Sequence, residues 1–218
     1  MLLGGLLAVP VTAMARSAGA ETGVQAFAVD RNGSPIGHHR LSFARNGDRL
    51  DVAIDIALEV KLAFLTLYRY RHQNREVWEG DRLVSFTSST DDNGTPHRVS
   101  ARRSGDVILV ESGGGRIEAP GDALPTTYWQ RRFLDAPTWI DTQSGRLLSC
   151  TVTPRGSAQI DAVGQNVAAD RFAVTGDLTL DLWYAAEHWV KLEFPASDGS
   201  TIGYMLDRAP PQVLAALG

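Results

Sequence analysis

A single cysteine, Cys150, stands among the 218 residues. It cannot close an intrachain disulfide or build a cysteine-rich metal site, so the core has to hold the fold unaided, and Cys150 is expected as a small buried residue. Basic residues are not in excess either. The 21 Lys and Arg face 25 Asp and Glu, for a formal charge of −4, which argues against a nucleic-acid partner. The histidines, His38, His39, His72, His97 and His188, show no i, i+2 or i, i+4 pairing, and His38 and His39 would fall on opposite faces of a strand. No metal site follows from them. No Gly-x-Ser-x-Gly elbow occurs, and Gly113-Gly114-Gly115 follows a strand instead of opening a helix, as a phosphate loop would. The chain therefore announces no catalytic residues and no cofactor.

With 44% hydrophobic and 21% charged residues, the chain has the length and composition of one domain with a substantial core. Residues 1–20 are set apart from it. Leu2, Leu3, Leu6, Leu7, Ala8 and Val9 form an apolar run too short to span a bilayer, and Ala13-Met14-Ala15 and Ala18-Gly19-Ala20 fit the small-x-small cleavage pattern. A signal peptide is expected here, and with it a mature chain in the periplasm or secreted. No Lys or Arg precedes the apolar run, which fits a start site upstream of Met1.

What the sequence does have is alternation. From Leu50 the even positions read Leu50, Val52, Ile54, Ile56, Leu58, Val60, Leu62, Phe64, Thr66, Tyr68, Tyr70 and His72. The odd positions up to Lys61 are Asp51, Ala53, Asp55, Ala57, Glu59 and Lys61. A period of two with one apolar face means extended chain. At about 3.3 Å per residue an unbroken strand of this length would reach roughly 75 Å, too long for such a domain, so a break is expected between Ala57 and Leu65.

Turn signals recur along the rest of the chain, as in an antiparallel meander. Asn32-Gly33 and Asn46-Gly47 are hairpin dipeptides; Gly80-Asp81, Asp91-Asp92-Asn93-Gly94, Ser104-Gly105 and Ser197-Asp198-Gly199 follow. Ile160–Val167 and Arg171–Thr175 read as two separate strands. Leu178, Leu180 and Leu182, then Val190, Leu192 and Phe194, repeat the alternation. One helix is expected over Pro125–Leu134, from Pro125 at its start and the i, i+4 spacing of Trp129 and Phe133. The resulting fold class is mainly β: a single curved antiparallel sheet, half-barrel-like, over residues 21–208, with one covering helix and a weakly helical tail at 209–218.

The succession Gly33…Gly37, Val60-Lys61, Tyr68…Tyr70, Glu76…Trp78, Thr127-Tyr128-Trp129, Asp141…Gly145, Gly176-Asp177-Leu178, Leu182-Trp183-Tyr184 and Asp198-Gly199-Ser200…Tyr204 resembles a family of exported bacterial proteins of unknown function. The resemblance covers nearly the whole chain after the leader. Related families look like the periplasmic half-barrel carriers of lipoproteins and other lipids. That likeness implies a curved sheet with helical cover on its concave side and an apolar ligand; it carries over no catalytic residue.

The aromatic residues are the remaining signal. Tyr70, Trp78, Tyr128, Trp129, Phe133, Trp183 and Tyr184 are the candidate ligand-binding set, with the expected helix as a lid; core packing is the competing reading, since such rings bury large areas. Arg69, Arg71, Arg75, Arg98, Arg102, Arg103, Arg131 and Arg132 would make a basic rim for a carboxylate or other anionic head group if their strands were neighbours. These features favour a periplasmic binding or carrier protein for a hydrophobic small molecule or lipid. Two alternatives stand beside it. One is an enzyme of unfamiliar type acting on a hydrophobic substrate in the same pocket, with His188, Asp181 or Tyr184 as acid–base groups. The other is a non-catalytic module contacting an envelope protein.

Overall fold

Hairpins build this chain almost without interruption. The computed structural model describes residues 21–63 and 65–217, so the expected signal peptide at 1–20 lies outside the described residues. Strands β1 (Glu21–Arg31), β2 (Ser34–Asn46), β3 (Arg49–Leu62), β4 (Leu65–Glu79), β5 (Arg82–Asp92), β6 (Thr95–Ser104), β7 (Val107–Ser112) and β8 (Gly115–Pro120) follow one another as antiparallel neighbours. A strap then crosses the sheet with β9 (Leu124–Pro125), a short 3-10 helix (Arg131–Asp135), β10 (Trp139–Ile140) and β11 (Leu147–Leu148). Strands β12 (Cys150–Ala162), β13 (Gln165–Gly176), β14 (Leu180–Ala185), β15 (His188–Pro195) and β16 (Thr201–Arg208) complete the sheet, and α1 (Pro211–Leu217) ends the chain.

The large sheet has thirteen strands in the order β12 to β16, then β1 to β8. Its two meanders meet where β1 pairs with β16, placing Phe27 opposite Leu206 and Val29 opposite Tyr204. The sheet is curved but not closed, with β8 and β12 as its edges. Cys150 opens the edge strand β12 opposite Gly176 and is half-buried, less enclosed than expected, because among the described residues no strand pairs with it on its other side.

The alternation seen in the sequence places the core. The chain breaks between Leu62 and Leu65, inside the expected window, and β3 folds back on β4. Val52 then lies opposite Glu76, Ile54 opposite Asn74, Ile56 opposite His72 and Leu58 opposite Tyr70, all on the concave face. Two backbones come very close nearby. A Cβ on Gly37 would sit 1.9 Å from the Ala57 carbonyl oxygen. Gly37→Ala is therefore expected to cost about 2 kcal/mol or more, as β2 and β3 must separate to admit the methyl group. A denaturation midpoint equal to that of the wild type would contradict this.

Two expected elements differ. The Pro125–Leu134 segment is not an α-helix. The Leu124 N–H donates to the Thr138 carbonyl (3.2 Å) and the Thr126 N–H to the Ile140 carbonyl (3.0 Å), so the start of the segment is committed to parallel pairing with β10. Tyr128 then takes φ 60°, outside any helix, and only Arg131–Asp135 forms a 3-10 turn. Long-range hydrogen bonds here override an i, i+4 pattern that was helical in appearance. Ile160–Val167 likewise splits into the end of β12 and the start of β13. Val163 and Gly164 both have positive φ (49° and 70°), the backbone of a two-residue hairpin turn that valine does not advertise.

Candidate functional site

The strap leaves part of the concave face uncovered, and there the sheet and the strap enclose a cavity of about 830 Å³. It opens to solvent beside Arg31, Leu67 and Asp198. Its walls are unlike one another. Strands β2, β3, β15 and β16 contribute an apolar side that includes Ile54, Ile56, Leu58, Leu192, Phe194 and Ile202. The opposite side, from β4, β5 and the Asp141–Gln143 loop, is polar.

On the polar side Tyr68, Tyr70 and His72 alternate along β4, with Asp92 and Thr90 facing Tyr70 and His72 across the β4–β5 ladder. The Tyr68 hydroxyl donates to Asp92 Oδ1 (2.7 Å), Gln143 Nε2 donates to Asp92 Oδ2 (3.1 Å), and the Tyr70 hydroxyl donates to Gln143 Oε1 (2.9 Å). Burial pushes the Tyr68 and Tyr70 phenols up, and hydrogen bonding to Asp92 adds to the rise at Tyr68. His72 Nδ1 shares a 2.7 Å hydrogen bond with the Thr90 hydroxyl. The Asp141 carboxylate fixes its own loop, accepting from the Gln143 N–H (3.1 Å), the Ser144 N–H (3.2 Å) and the Ser144 hydroxyl (2.5 Å).

His39 enters from β2, between the two walls. Its side chain packs edge-on against Trp189 and Tyr204, with Phe27 tilted beside it. The residue is only 3% exposed, and its Nε2 has no hydrogen-bond partner among the described residues. Burial lowers the His39 pKa to about 3, helped by the nearby His72 and His38, and burial lowers His72 to about 4. Both imidazoles are therefore uncharged at neutral pH.

Of the aromatic set read from the sequence, Tyr70 and Tyr128 line this cavity. The other five hold the structure around it. Trp78 and Trp129 meet edge to face at 5.6 Å between centroids, and both indole N–H groups donate to Glu76 Oε2 (2.8 and 3.0 Å). Phe133 stacks on Trp139 at 4.0 Å. The Tyr184 hydroxyl donates to the Tyr128 carbonyl (2.7 Å), tying β14 to the strap. Trp183 lies on the convex face, opposite Leu182, where Arg171 and Lys191 cover its ring at 5.3 and 4.6 Å.

The three acid–base candidates do not form a common group. Asp181 is bonded to Arg171 at the surface, Tyr184 to the strap, and His188 faces Gln130 in an isolated bridge. The arginines form no rim round the cavity. Arg69, Arg71 and Arg75 occupy the outward positions of β4, Arg98 and Arg102 those of β6, while Arg103 and Arg132 donate to the Gly121 and Asp81 carbonyls and so clamp the strap. Arg131 covers Phe172 at 5.2 Å. Among the described residues no three His, Cys, Asp or Glu side chains gather as metal ligands.

Sequence reasoning missed His39, His72, Tyr68, Asp92 and Gln143 as a set. For Tyr68 and His72 the signal was present, because both continue the even-numbered face that begins at Leu50. The hairpin tip carries one more feature. Leu65 and Leu67 are 57% and 55% exposed, and Leu67 stands at the mouth of the cavity.

A half-barrel sheet with a strap across its hollow defines a β-barrel-like protein. A solved structure with that description, the beta-barrel-like protein of domain of unknown function DUF1849 from Brucella abortus, superposes with a TM-score of 0.59 over 87% of this chain and 96% of that one. At 12% identity the likeness is one of fold. Residues 27–207 match the family described as Domain of unknown function (DUF6134), and the chain belongs to it. No curated protein matches the chain.

Proposed function

We propose that this chain is a binding or carrier protein for an apolar or amphipathic, lipid-like molecule, held between the concave sheet face and the strap. The observation that carries this reading is the cavity itself, about 830 Å³ with an apolar wall facing a polar one. Ligand pockets run to roughly 300–1,000 Å³, whereas close-packed interiors leave few voids larger than a water molecule, so a cavity of this size supports a binding role. The leader-like residues 1–20 and the resemblance of the sequence to periplasmic lipid carriers support the periplasm as its place of work. Fractionation of cells expressing the full chain tests that location, and recovery with the cytoplasm would overturn it.

Binding is tested by titrating the protein with the uncharged fluorescent probe N-phenyl-1-naphthylamine. Ile56→Trp fills the apolar wall with an indole and is expected to weaken probe binding about tenfold or more, a loss of at least 1.4 kcal/mol. The melting temperature of the variant separates a filled cavity from an unfolded one. Saturable binding that survives the substitution in a folded variant would move the site elsewhere.

A further inference from the structure

We propose, resting on the binding reading above, that the cavity selects a head group that donates hydrogen bonds and carries no negative charge, such as an alcohol or an amine, over a carboxylate or phosphate. The selectivity follows from what the walls leave unsatisfied.

Charge comes first. The lining contains Asp92, Asp141 and Asp198 against a single cation, Arg31. Arg31 is already committed at the rim, with Nη2 donating to Asp198 Oδ2 (2.5 Å) and Nε to the Ser200 hydroxyl (2.9 Å). The two histidines on the walls add no charge, being held neutral by burial. An anionic head entering this space would meet the Asp92 carboxylate with no free cation among the described lining residues. Removing both from water makes that repulsion stronger than it would be at a surface.

Donors come second. The Tyr68 and Tyr70 hydroxyls and the Gln143 amide, the obvious donors of the polar wall, are turned onto Asp92 and onto one another. Each carboxylate oxygen of Asp92 accepts one bond from this network and retains further acceptor capacity. The polar wall is thus rich in acceptors with its own donors spent, while the Tyr128 and Tyr204 hydroxyls of the lining stand on the strap and on β16. On the polar side a ligand has to bring the hydrogen.

His39 is the third and independent observation. A polar nitrogen buried without a partner costs free energy unless something bonds to it. A neutral imidazole offers an acceptor at one nitrogen and an N–H at the other. A hydroxyl both gives and takes hydrogen bonds, so it satisfies Nε2 in either tautomer, whereas a carboxylate, which only accepts, satisfies one. His39 lines the cavity with Nε2 closed off from it, so a head group reaches that nitrogen by a turn of the ring; an amphiphile with its hydroxyl or amine between His39 and the Asp92 side would then lay its chain along Ile54, Ile56 and Leu58.

The test is displacement of N-phenyl-1-naphthylamine at neutral pH by three amphiphiles of equal length: the twelve-carbon alcohol, amine and carboxylate. Alcohol or amine is expected to bind about tenfold or more tightly than the carboxylate. His39→Leu is expected to weaken the alcohol about tenfold more than it weakens the probe. Asp92→Asn is expected to narrow the gap between alcohol and carboxylate, and it serves if His39→Leu does not fold. A carboxylate that binds as well as the alcohol overturns the head-group inference and leaves the binding reading standing. If neither the probe nor any amphiphile binds the wild type, the binding reading falls and this inference with it.

Discussion

Glu76→Ala is expected to cost about 3–5 kcal/mol of stability, enough to unfold much of the protein at physiological temperature. Glu76 is 1% exposed and has no cationic partner among the described residues. Its carboxylate gathers the Trp78 and Trp129 indole N–H groups at Oε2 and the Asn74 amide at Oε1 (3.1 Å). Trp78 belongs to the sheet and Trp129 to the strap, so one carboxylate joins the two layers. Alanine would leave both indole donors buried and unpaired, and each such group costs about 1–3 kcal/mol. It would also open a void beneath the strap.

Glu76→Gln is the informative companion. Burial raises the Glu76 pKa, against the opposing hydrogen bonds from Trp129, Trp78, Thr127 and Asn74. A carboxyl whose folded pKa lies above its unfolded value stabilises the fold fully below the unfolded value. That contribution is lost as pH rises through the folded one. Glutamine keeps an oxygen for the two indoles without any charge to bury, and once the Asn74 amide turns over, the glutamine amide finds an acceptor in Asn74 Oδ1, which has no partner among the described residues in the wild type. The variant should match the wild type in mild acid, gain on it as pH rises from the unfolded carboxyl value through the folded one, and keep a constant margin above that. Urea denaturation of both proteins at several pH values measures this. A stability difference that is constant with pH would mean that Glu76 is already fully ionised in the fold and that its burial is tolerated.

The second large effect has the opposite slope. His39 and His72, with pKa values lowered to about 3 and about 4, remain neutral in the fold while their unfolded counterparts protonate below about 6.5. Stability they contribute is complete above the unfolded value and is lost as pH falls through the folded ones. Each histidine accounts for about 1.4 kcal/mol per pH unit in that window, so together they remove several kcal/mol by roughly pH 4–5. The wild type is expected to lose melting temperature steeply between neutrality and that range. A His39→Gln, His72→Gln double variant should follow a flatter curve, even if its neutral-pH stability is lower. Parallel curves would show that the acid sensitivity arises elsewhere.

The fold was largely readable in the sequence, because a sheet that is wet on one side writes itself as alternation. Leu50 to His72 declared both the strand and the face, and dipeptides such as Asn32-Gly33 and Asn93-Gly94 declared turns through residues that accept positive φ. The strap was not readable. Its conformation is decided by partners far along the chain: Thr138 and Ile140 for Leu124 and Thr126, and Glu76 for Trp129. Alternation also cannot say which face is concave. As neighbours in a strand Trp183 and Tyr184 point apart, but only the curvature of the sheet assigns Trp183 to the outside. The cavity residues were obscured for a related reason. His39 and His72 stand 33 positions apart and meet only through the in-register ladders of β2, β3 and β4, which bring His39 opposite Ile56 and Ile56 opposite His72.

The seam between β1 and β16 has a consequence in time. Every other neighbour in the large sheet is joined by a local hairpin, which can form as soon as its two strands exist. The seam pairs Ala26 with Arg208, so during synthesis β1 waits with an open edge until nearly the whole chain has been made. The same docking brings Arg31 to Asp198 and Val29 to Tyr204. The mouth and floor of the cavity are thus the last parts of the molecule to be finished, and a nascent chain has nowhere to hold a ligand until its final strand arrives.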